Sequence, residues 1–312
     1  ERSKKNDFKN QIYFPSPLKT KEKIGLVSLA FSVPSYLVRY GKKRLSNLGY
    51  KVIESSNINL RKGYLAGSKK ERLKAFDNLI KDPEVGAIFN MRGGFGSSQL
   101  LDGLDYESIK KNKKIIMGYS DITALLFAIY KKTGLVTYHG PMIKTGISKK
   151  EASYINKVLV KQESILYKND EKKPIRTIVP GESSGLLMGG NLSVICSLLG
   201  TQYIPDWEGK ILFLEEIGEK IYKVDRMLTQ LKQAGVFDKV SGIVLGMFTH
   251  MDTSTPHSFT LEEVFARHFK SLKIPVYAGA QFGHISDQFI LPIGAQATMD
   301  AKKGTIKVFS RL

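Results

Sequence analysis

Short apolar runs alternate with helix-forming segments in the first half of the chain, and this alternation restricts the possible folds more than any other feature. The runs are predicted strands at positions 24–30, 50–54, 85–90 and 114–118. Helical patterns lie between them, and capping boxes that begin at Ser68 and Ser148 each predict the start of a helix. Strands joined through helices run parallel, and the helices cover both faces of the sheet. The sequence therefore predicts an α/β domain with a parallel sheet.

The composition along the chain indicates an arm, a first domain, a linker and a second domain, predicted at positions 1–22, 23–162, 163–184 and 185–312. The arm is polar and basic and shows no periodicity. The linker is predicted because its residues are charged and include Pro174, Pro180 and Gly181. The last part combines a helical pattern at 221–234 with strand patterns before and after it. It is predicted to be a second, mixed α/β domain.

Composition excludes several classes of protein. The chain has 312 residues, of which 42% are hydrophobic, so it can form a large core and is not disordered. Its single cysteine, Cys196, cannot form an intramolecular disulfide or a cysteine-based zinc site. No stretch approaches the roughly 20 apolar residues that a membrane-spanning helix needs. These features predict a soluble globular protein.

The chain is strongly basic, with 48 Lys and Arg against 29 Asp and Glu and a formal net charge of +19. Such a surplus favours anionic partners. The lysines are scattered along the chain, often in pairs such as Lys69-Lys70 and Lys302-Lys303. Nucleic-acid-binding surfaces instead concentrate arginine and aromatic residues on one face. The pattern therefore indicates a solvated basic surface, and no nucleic-acid partner is predicted.

The tetrapeptide Gly118-Tyr119-Ser120-Asp121 joins a predicted strand directly to a predicted helix. A serine on such a tight turn can project its hydroxyl above the sheet edge, with the next backbone N–H directed at an oxyanion. Ser120 is thus a candidate nucleophile, although a serine that only caps the helix fits the pattern as well. The motif differs from the Gly-x-Ser-x-Gly of the α/β-hydrolases, since Ile122 stands at the second glycine position.

A glycine-rich segment at positions 91–98 follows the third predicted strand. Its glycines allow a ligand to approach backbone N–H groups closely. A dinucleotide-binding loop is disfavoured because Gln99 occupies the position that would complete Gly-x-Gly-x-x-Gly. The segment is predicted either to supply a second oxyanion donor or to form only a tight turn.

A catalytic serine needs a base, and two of the five histidines, His139 and His284, lie near predicted strand ends. The residues alone do not choose between them. The base in turn needs a partner that holds its tautomer, usually a carboxylate. Glu215 ends an apolar strand, where a buried charge requires a partner. A salt bridge to Lys or Arg would satisfy Glu215 equally well.

Taken together, six segments resemble the LD-carboxypeptidases, the serine peptidase family that includes muramoyltetrapeptide carboxypeptidase. They occur in family order between about Lys23 and the C-terminus, as Arg92-Gly93-Gly94-Phe95-Gly96, Gly118-Tyr119-Ser120-Asp121, His139-Gly140-Pro141-Met142, Gly189-Gly190-Asn191-Leu192, Leu214-Glu215-Glu216-Ile217-Gly218-Glu219 and Phe282-Gly283-His284. The resemblance implies a Rossmann-like parallel-sheet N-terminal domain and a smaller mixed α/β C-terminal domain, with the site between them. It also implies a homodimer.

The resemblance further implies a Ser-Glu-His triad. By motif, Ser120 is the expected nucleophile, Glu215 the orienting carboxylate and His284 the general base. His139 falls in a motif that the family does not use for its base.

The same motifs imply the other site residues. The oxyanion hole corresponds to the backbone N–H groups of Gly93 and Asp121. Arg92, Gly94 and Asn191 are expected to contact the substrate, with Arg92 chosen for its charge and position. No metal and no cofactor are expected.

The implied activity is removal of the terminal D-alanine from a muropeptide tetrapeptide through an acyl-enzyme. A second branch of the family cleaves microcin-type peptidyl nucleotides, and Arg92 and Phe95 favour the peptidoglycan branch. A non-catalytic protein that binds anionic polymers is an alternative of another class. Relatives that act in recycling are cytoplasmic, so a cytoplasmic location is expected, or a periplasmic one if a signal segment preceded Glu1.

Overall fold

The computed structural model describes residues 11–310, which form two β-sheets with helices packed around and between them. The strands are β1 (Lys23–Val27), β2 (Lys51–Glu54), β3 (Val85–Asn90), β4 (Ile115–Gly118), β5 (Thr137–His139), β6 (Ile165–Lys168), β7 (Arg176–Val179), β8 (Glu182–Asn191), β9 (Ile211–Ile217), β10 (Gly242–Thr249), β11 (Val276–Ala278), β12 (Leu291–Ile293), β13 (Gln296–Asp300) and β14 (Thr305–Val308). The helices are α1 (Ser35–Asn47), α2 (Lys69–Lys81), α3 (Tyr106–Asn112), α4 (Thr123–Thr133), α5 (Lys149–Ile155), α6 (Leu192–Leu198), α7 (Ile221–Gln233), α8 (Val236–Lys239) and α9 (Leu261–Phe269). The mixed α/β class with a parallel first sheet is confirmed.

The first sheet has the strand order β12-β5-β4-β3-β1-β2. Its strands from the first part of the chain all run parallel, because helices connect them. The edge strand β12 comes from near the C-terminus and pairs antiparallel with β5. The first sheet is therefore completed by a strand from the second part of the chain.

The second sheet has the strand order β6-β14-β13-β8-β9-β10-β11-β7. Its centre, from β8 to β11, is parallel, and the flanking strands are antiparallel. The carboxyl ends of the parallel strands meet at one edge, which is where α/β sheets bind ligands.

The segment 163–184, predicted as a linker, carries β6, β7 and the first residues of β8 in the structure. In β6 the side chains alternate, with Ile165 and Tyr167 buried and Leu166 and Lys168 exposed. Both β6 and β7 are edge strands, and exposed charges are common on such strands because they prevent further pairing. Charge and proline in this segment thus mark the sheet edges, which explains the difference from the prediction.

The structure describes part of the predicted arm and both of the predicted helix starts. Positions 1–10 of the predicted arm lie outside the described residues, and within its remainder Leu18 is buried in the core. Both predicted capping boxes are present, at Ser68 and Ser148. The helix from the second box ends earlier than predicted, and a π-helical turn, Asn156–Val160, follows it.

One hydrophobic core joins the two sheets. Helix α4 is buried along almost its whole length, as expected for a helix that is apolar on every face. The ring of Trp207, from the second half, lies 6.0 Å from that of Phe127 on α4. No helix between residues 11 and 310 is long and apolar enough to cross a membrane.

Candidate active site

Ser120 lies on a sharp turn between β4 and α4. Its φ is +60°, in the left-handed region that a side chain disfavours, and a 3₁₀ turn, Ser120–Ile122, leads into the helix. The turn directs the hydroxyl away from the core while Tyr119 and Asp121 on either side stay buried. Such a strand–turn–helix geometry is typical of a nucleophilic serine.

Ser120, His284 and Glu215 form a hydrogen-bonded row. His284 Nε2 lies 3.1 Å from Ser120 Oγ, and His284 Nδ1 lies 2.7 Å from Glu215 Oε2. The Glu215 side chain is completely buried near the end of β9, and His284 follows β11 in a loop. The preceding Gly283 has a φ of +116°, and a Cβ there would lie 3.0 Å from Glu215 Cβ. This glycine therefore allows the loop to approach Glu215 closely.

His139 is fully buried behind this row and does not join it. Neither ring nitrogen has a hydrogen-bond partner within the described part of the chain. Burial lowers its pKa to about 4, an effect that the nearby Glu215 charge partly opposes. The ring of Tyr119 contacts both histidine rings, at 5.8 Å from His139 and 4.8 Å from His284. Of the two histidines left open by the residues alone, the structure places His284 against the serine.

Gly93 lies directly beside the serine turn. A Cβ on Gly93 would be 3.0 Å from Ser120 Oγ and 3.2 Å from the backbone nitrogen of Asp121. The backbone of Gly93 therefore lies close to both the Ser120 hydroxyl and the backbone nitrogen of Asp121. Paired backbone N–H groups in this arrangement can stabilise an oxyanion.

A cavity of about 560 Å³ opens in front of Ser120 and His284. Its cationic lining residues are Arg44, Arg92 and Lys144. Burial and the neighbouring Arg92 charge both lower the pKa of Lys144. The cavity is thus suited to a ligand with carboxylate groups.

Two family models match this chain. The model for the LD-carboxypeptidase N-terminal domain matches residues 24–140, and the model for the C-terminal domain matches residues 184–299. The chain belongs to the LD-carboxypeptidase family. The family resemblance stated from the sequence motifs is confirmed.

Individual members of the family match this chain over nearly their whole length. A Bacillus subtilis protein named "Probable murein peptide carboxypeptidase" is 36% identical, covering 94% of this chain and 93% of the relative. The structure of MccF in complex with glutamyl sulfamoyl guanosine superposes with a TM-score of 0.87 at 28% identity, covering 95% and 98%. The muramoyltetrapeptide carboxypeptidase from Oxalobacter formigenes gives a TM-score of 0.81 at 29% identity, covering 92% and 97%.

Of the three residues predicted to contact substrate, two line the cavity and one does not. Arg92 and Gly94 line the cavity, and the Arg92 guanidinium lies 5.3 Å from the centre of the Phe31 ring. Asn191 is buried and caps α6, where its Oδ1 accepts a hydrogen bond from Val194 N. Its Nδ2 donates to Glu216 Oε1 at 2.9 Å. Because the amide already has these partners, the structure does not bring Asn191 to the cavity.

Sequence reasoning missed three charged residues of the cavity. Arg44 and Lys144 look like any other of the scattered cations in the sequence, so no signal distinguished them. Glu151 also lines the cavity, and in the sequence it appears only as the glutamate of the capping box that begins at Ser148. Burial raises the pKa of its carboxyl group. Among residues 11–310 no cluster of three or more His, Cys, Asp or Glu could hold a metal ion.

Proposed function

We propose that this chain is a serine LD-carboxypeptidase that removes the terminal D-alanine from peptidoglycan tetrapeptides. The observation that carries the proposal is the contact of His284 with Ser120 at 3.1 Å and with Glu215 at 2.7 Å. This is the spacing that a nucleophile, its base and an orienting carboxylate require. Family membership and the murein relative support the choice of substrate.

In the proposed reaction Ser120 Oγ attacks the carbonyl carbon that precedes the D-alanine, and His284 Nε2 accepts the hydroxyl proton. His284 Nδ1–H donates a hydrogen bond to the Glu215 carboxylate, which stays ionised and stabilises the imidazolium. The N–H groups of Gly93 and Asp121 stabilise the oxyanion, and loss of one such donor typically costs about 3–4 kcal/mol of barrier. His284 then protonates the leaving amine as the C–N bond breaks. Water, activated by the same histidine, hydrolyses the acyl-enzyme.

The charges of the cavity support an anionic peptide substrate. Arg44, Arg92 and Lys144 surround the space in front of Ser120. A terminal D-alanine presents a carboxylate next to the bond that is cut, and arginine binds carboxylates through paired hydrogen bonds. In this proposal the cations hold the terminal carboxylate, so the enzyme acts at the chain end.

The proposal is tested with purified protein and a murein tetrapeptide. D-alanine should be released, and Ser120→Ala should abolish the release. Ser197→Ala, at an exposed serine of α6, serves as the matched control and should leave the rate unchanged. Release that survives in Ser120→Ala would remove this serine from the mechanism.

A second candidate is a microcin-immunity-type amidase, favoured by the TM-score of 0.87 to MccF bound to glutamyl sulfamoyl guanosine. Hydrolysis of a peptidyl-nucleotide amide, without release of D-alanine from tetrapeptide, would favour it. Strongly salt-dependent binding of an anionic polymer, with hydrolysis of neither substrate, would instead favour a binding protein. From the family relationship we also propose a homodimer, which light scattering would test.

A further inference from the structure

The glycine loop, defined here as residues 93–96, has a backbone that needs support from elsewhere. Gly94 and Gly96 have φ values of +112° and +130°, a conformation that glycine adopts readily. Because glycine has no side chain, these two residues cannot anchor the loop through side-chain contacts. In the proposed function Gly93, at the start of the loop, supplies an oxyanion donor. Such donors are effective only when their position is fixed before charge develops, to within about 0.5 Å. The groups that hold this loop therefore matter for the rate.

Arg72 on α2 is a buried cation that donates a hydrogen bond to the glycine loop. Its Nη1 donates to the carbonyl oxygens of Gly96 and Leu29, both at 2.8 Å. Its Nη2 donates to Gln99 Oε1 at 2.8 Å. The side chain is completely buried, and a buried charge is tolerated only with such partners. Arg72 thus ties the glycine loop to the segment that follows β1.

Asp121 holds the same loop from the side of the serine turn. Its Oδ2 accepts a hydrogen bond from Ser97 N at 2.9 Å, and its backbone oxygen accepts one from Ser97 Oγ at 2.6 Å. Ser97 follows Gly96 directly, and Asp121 follows Ser120. The loop is therefore fixed at Gly96 by Arg72 and one residue later by the neighbour of the candidate nucleophile.

We propose that Arg72, Ser97 and the side chain of Asp121 form a brace that fixes the N–H of Gly93 relative to Ser120. All three side chains are buried and none lines the cavity, so they are positioning residues that act through the loop. The proposal rests on the proposed function, in which Gly93 stabilises the oxyanion. Loosening the brace should slow the covalent step and leave binding of the ground-state substrate almost unchanged.

The first test is a graded set of variants measured for D-alanine release. Ser97→Ala removes the hydroxyl bond to Asp121, and Gln99→Leu removes an acceptor of Arg72. Since displacement of reacting groups by about 1 Å can cost about 100-fold, we expect kcat to fall about 10- to 100-fold in Ser97→Ala, with KM little changed. Gln99→Leu should have a smaller effect in the same direction. Ser98→Ala, the same change at the adjacent and partly exposed residue, is the control.

A purely structural role would give a different pattern. It would lower the melting temperature of Ser97→Ala, followed by circular dichroism, while the folded enzyme kept its normal kcat. Arg72→Met removes all three hydrogen bonds that Arg72 donates and is the variant most prone to misfolding, so the two milder variants carry the test. A normal kcat in folded Ser97→Ala and folded Gln99→Leu would overturn the proposal.

A fluorophosphonate probe makes the test independent of the substrate. Ser120 Oγ forms a bond to phosphorus, the P–F bond breaks, fluoride leaves and His284 takes the proton, while the phosphonyl oxygen occupies the oxyanion site. Labelling of Ser120 should be slower in Ser97→Ala than in the parent and in Ser98→Ala, by the factor seen in kcat. Equal labelling rates in the parent and Ser97→Ala would overturn the brace alone. No labelling of the parent would remove Ser120 as the nucleophile, and the brace would fall with the proposed mechanism. Labelling without D-alanine release would reject the proposed substrate alone.

Discussion

At the scale of single residues, the adjacent Glu215 and Glu216 have different surroundings because consecutive side chains of a strand point to opposite faces. Glu215 faces His284, whereas Glu216 accepts hydrogen bonds from Asn191 Nδ2 at 2.9 Å and from Ser193 N at 2.8 Å. Burial raises the pKa of Glu216. The same substitution at Glu215 and at Glu216 can therefore distinguish an effect on catalysis from an effect on folding.

We expect Glu215→Gln to lower kcat by about 10⁴-fold, because an amide in place of the carboxylate favours the wrong histidine tautomer. The melting temperature should change little, since the amide keeps the shape of the side chain. Glu216→Gln should instead cost about 1–3 kcal/mol of unfolding free energy, because buried donors lose a charged acceptor. Steady-state kinetics and urea unfolding of both variants measure these effects. Equal losses of kcat in the two variants would contradict the separate roles.

The buried His139 gives a second prediction. Because burial lowers its pKa to about 4, the imidazole is neutral above that pH and does not titrate near neutrality. In His139→Phe the ring contacts to Tyr119 and Phe213 can persist. The substitution also removes two buried nitrogens that have no hydrogen-bond partner among residues 11–310. Unfolding free energy should therefore change by less than about 1 kcal/mol. The pH profile of kcat/KM should keep its shape, and a displaced acid limb would show that His139 takes part in the proton transfer.

Much of the site could be predicted from residues because the motifs are local. The turn at Ser120 and the glycine segment were visible as short patterns next to strands. The residues alone do not decide between His139 and His284, since the choice depends on Glu215, which lies 69 residues from His284 in the chain. The family motif, and not a local pattern, favours His284. The capping role of Asn191 could not be predicted, because a capping asparagine and a ligand-binding asparagine look the same in sequence.

At the scale of elements, the helices and the central strands were predictable and the sheet edges were not. Helix α2 begins at the predicted capping box, and α7 (Ile221–Gln233) matches the helical pattern predicted at 221–234 to within one residue. By contrast, β6 and β7 have only four residues each, and prolines lie on both sides of β7. Their pairing partners are β14 and β11, far away in the chain, so no local pattern reveals them.

Helix α3 offers a test of how a cap contributes to stability. Asp105 accepts a hydrogen bond from Ser108 N at 3.0 Å, and hydrogen bonds from Ser108 lower its pKa to about 2. We expect Asp105→Ala to cost about 1 kcal/mol of unfolding free energy at neutral pH. A lowered pKa in the folded state means that this contribution is present above the usual value of 3.8 and is lost as the pH falls towards 2.

Urea unfolding at pH 7 and at pH 2.5 would measure the effect of Asp105→Ala. The difference between variant and parent should shrink at the lower pH. Asp102→Ala removes only an exposed ion pair with Lys69 and should have a smaller effect at pH 7. A difference that stays constant across this pH range would contradict the role of the ionised cap.

At the scale of the whole molecule, residues 11–162 and 163–310 share one core and one site. Trp207 from the second part packs on Phe127 of the first, and β12 completes the first sheet. Ser120 comes from one part, and Glu215 and His284 come from the other. The parts are therefore expected to fold together.

Equilibrium unfolding should show one cooperative transition for the whole chain. Trp207 is the single tryptophan, and its contact with Phe127 makes its fluorescence a reporter of the junction between the two parts. Its midpoint in urea should coincide with that of the far-ultraviolet circular dichroism signal. Two separated transitions would contradict this prediction.

The pairing of β12 in the first sheet also restricts how the two parts of such a protein can be exchanged between related proteins during evolution. In a chimera made by a single crossover near residue 162, the recipient's Thr137 and His139 would pair with Ile293 and Leu291 from the donor lineage. A graft of a foreign second part would therefore need to retain the recipient's own β12, which requires additional junctions. The three residues of β12 thus favour inheritance of the two parts as one unit.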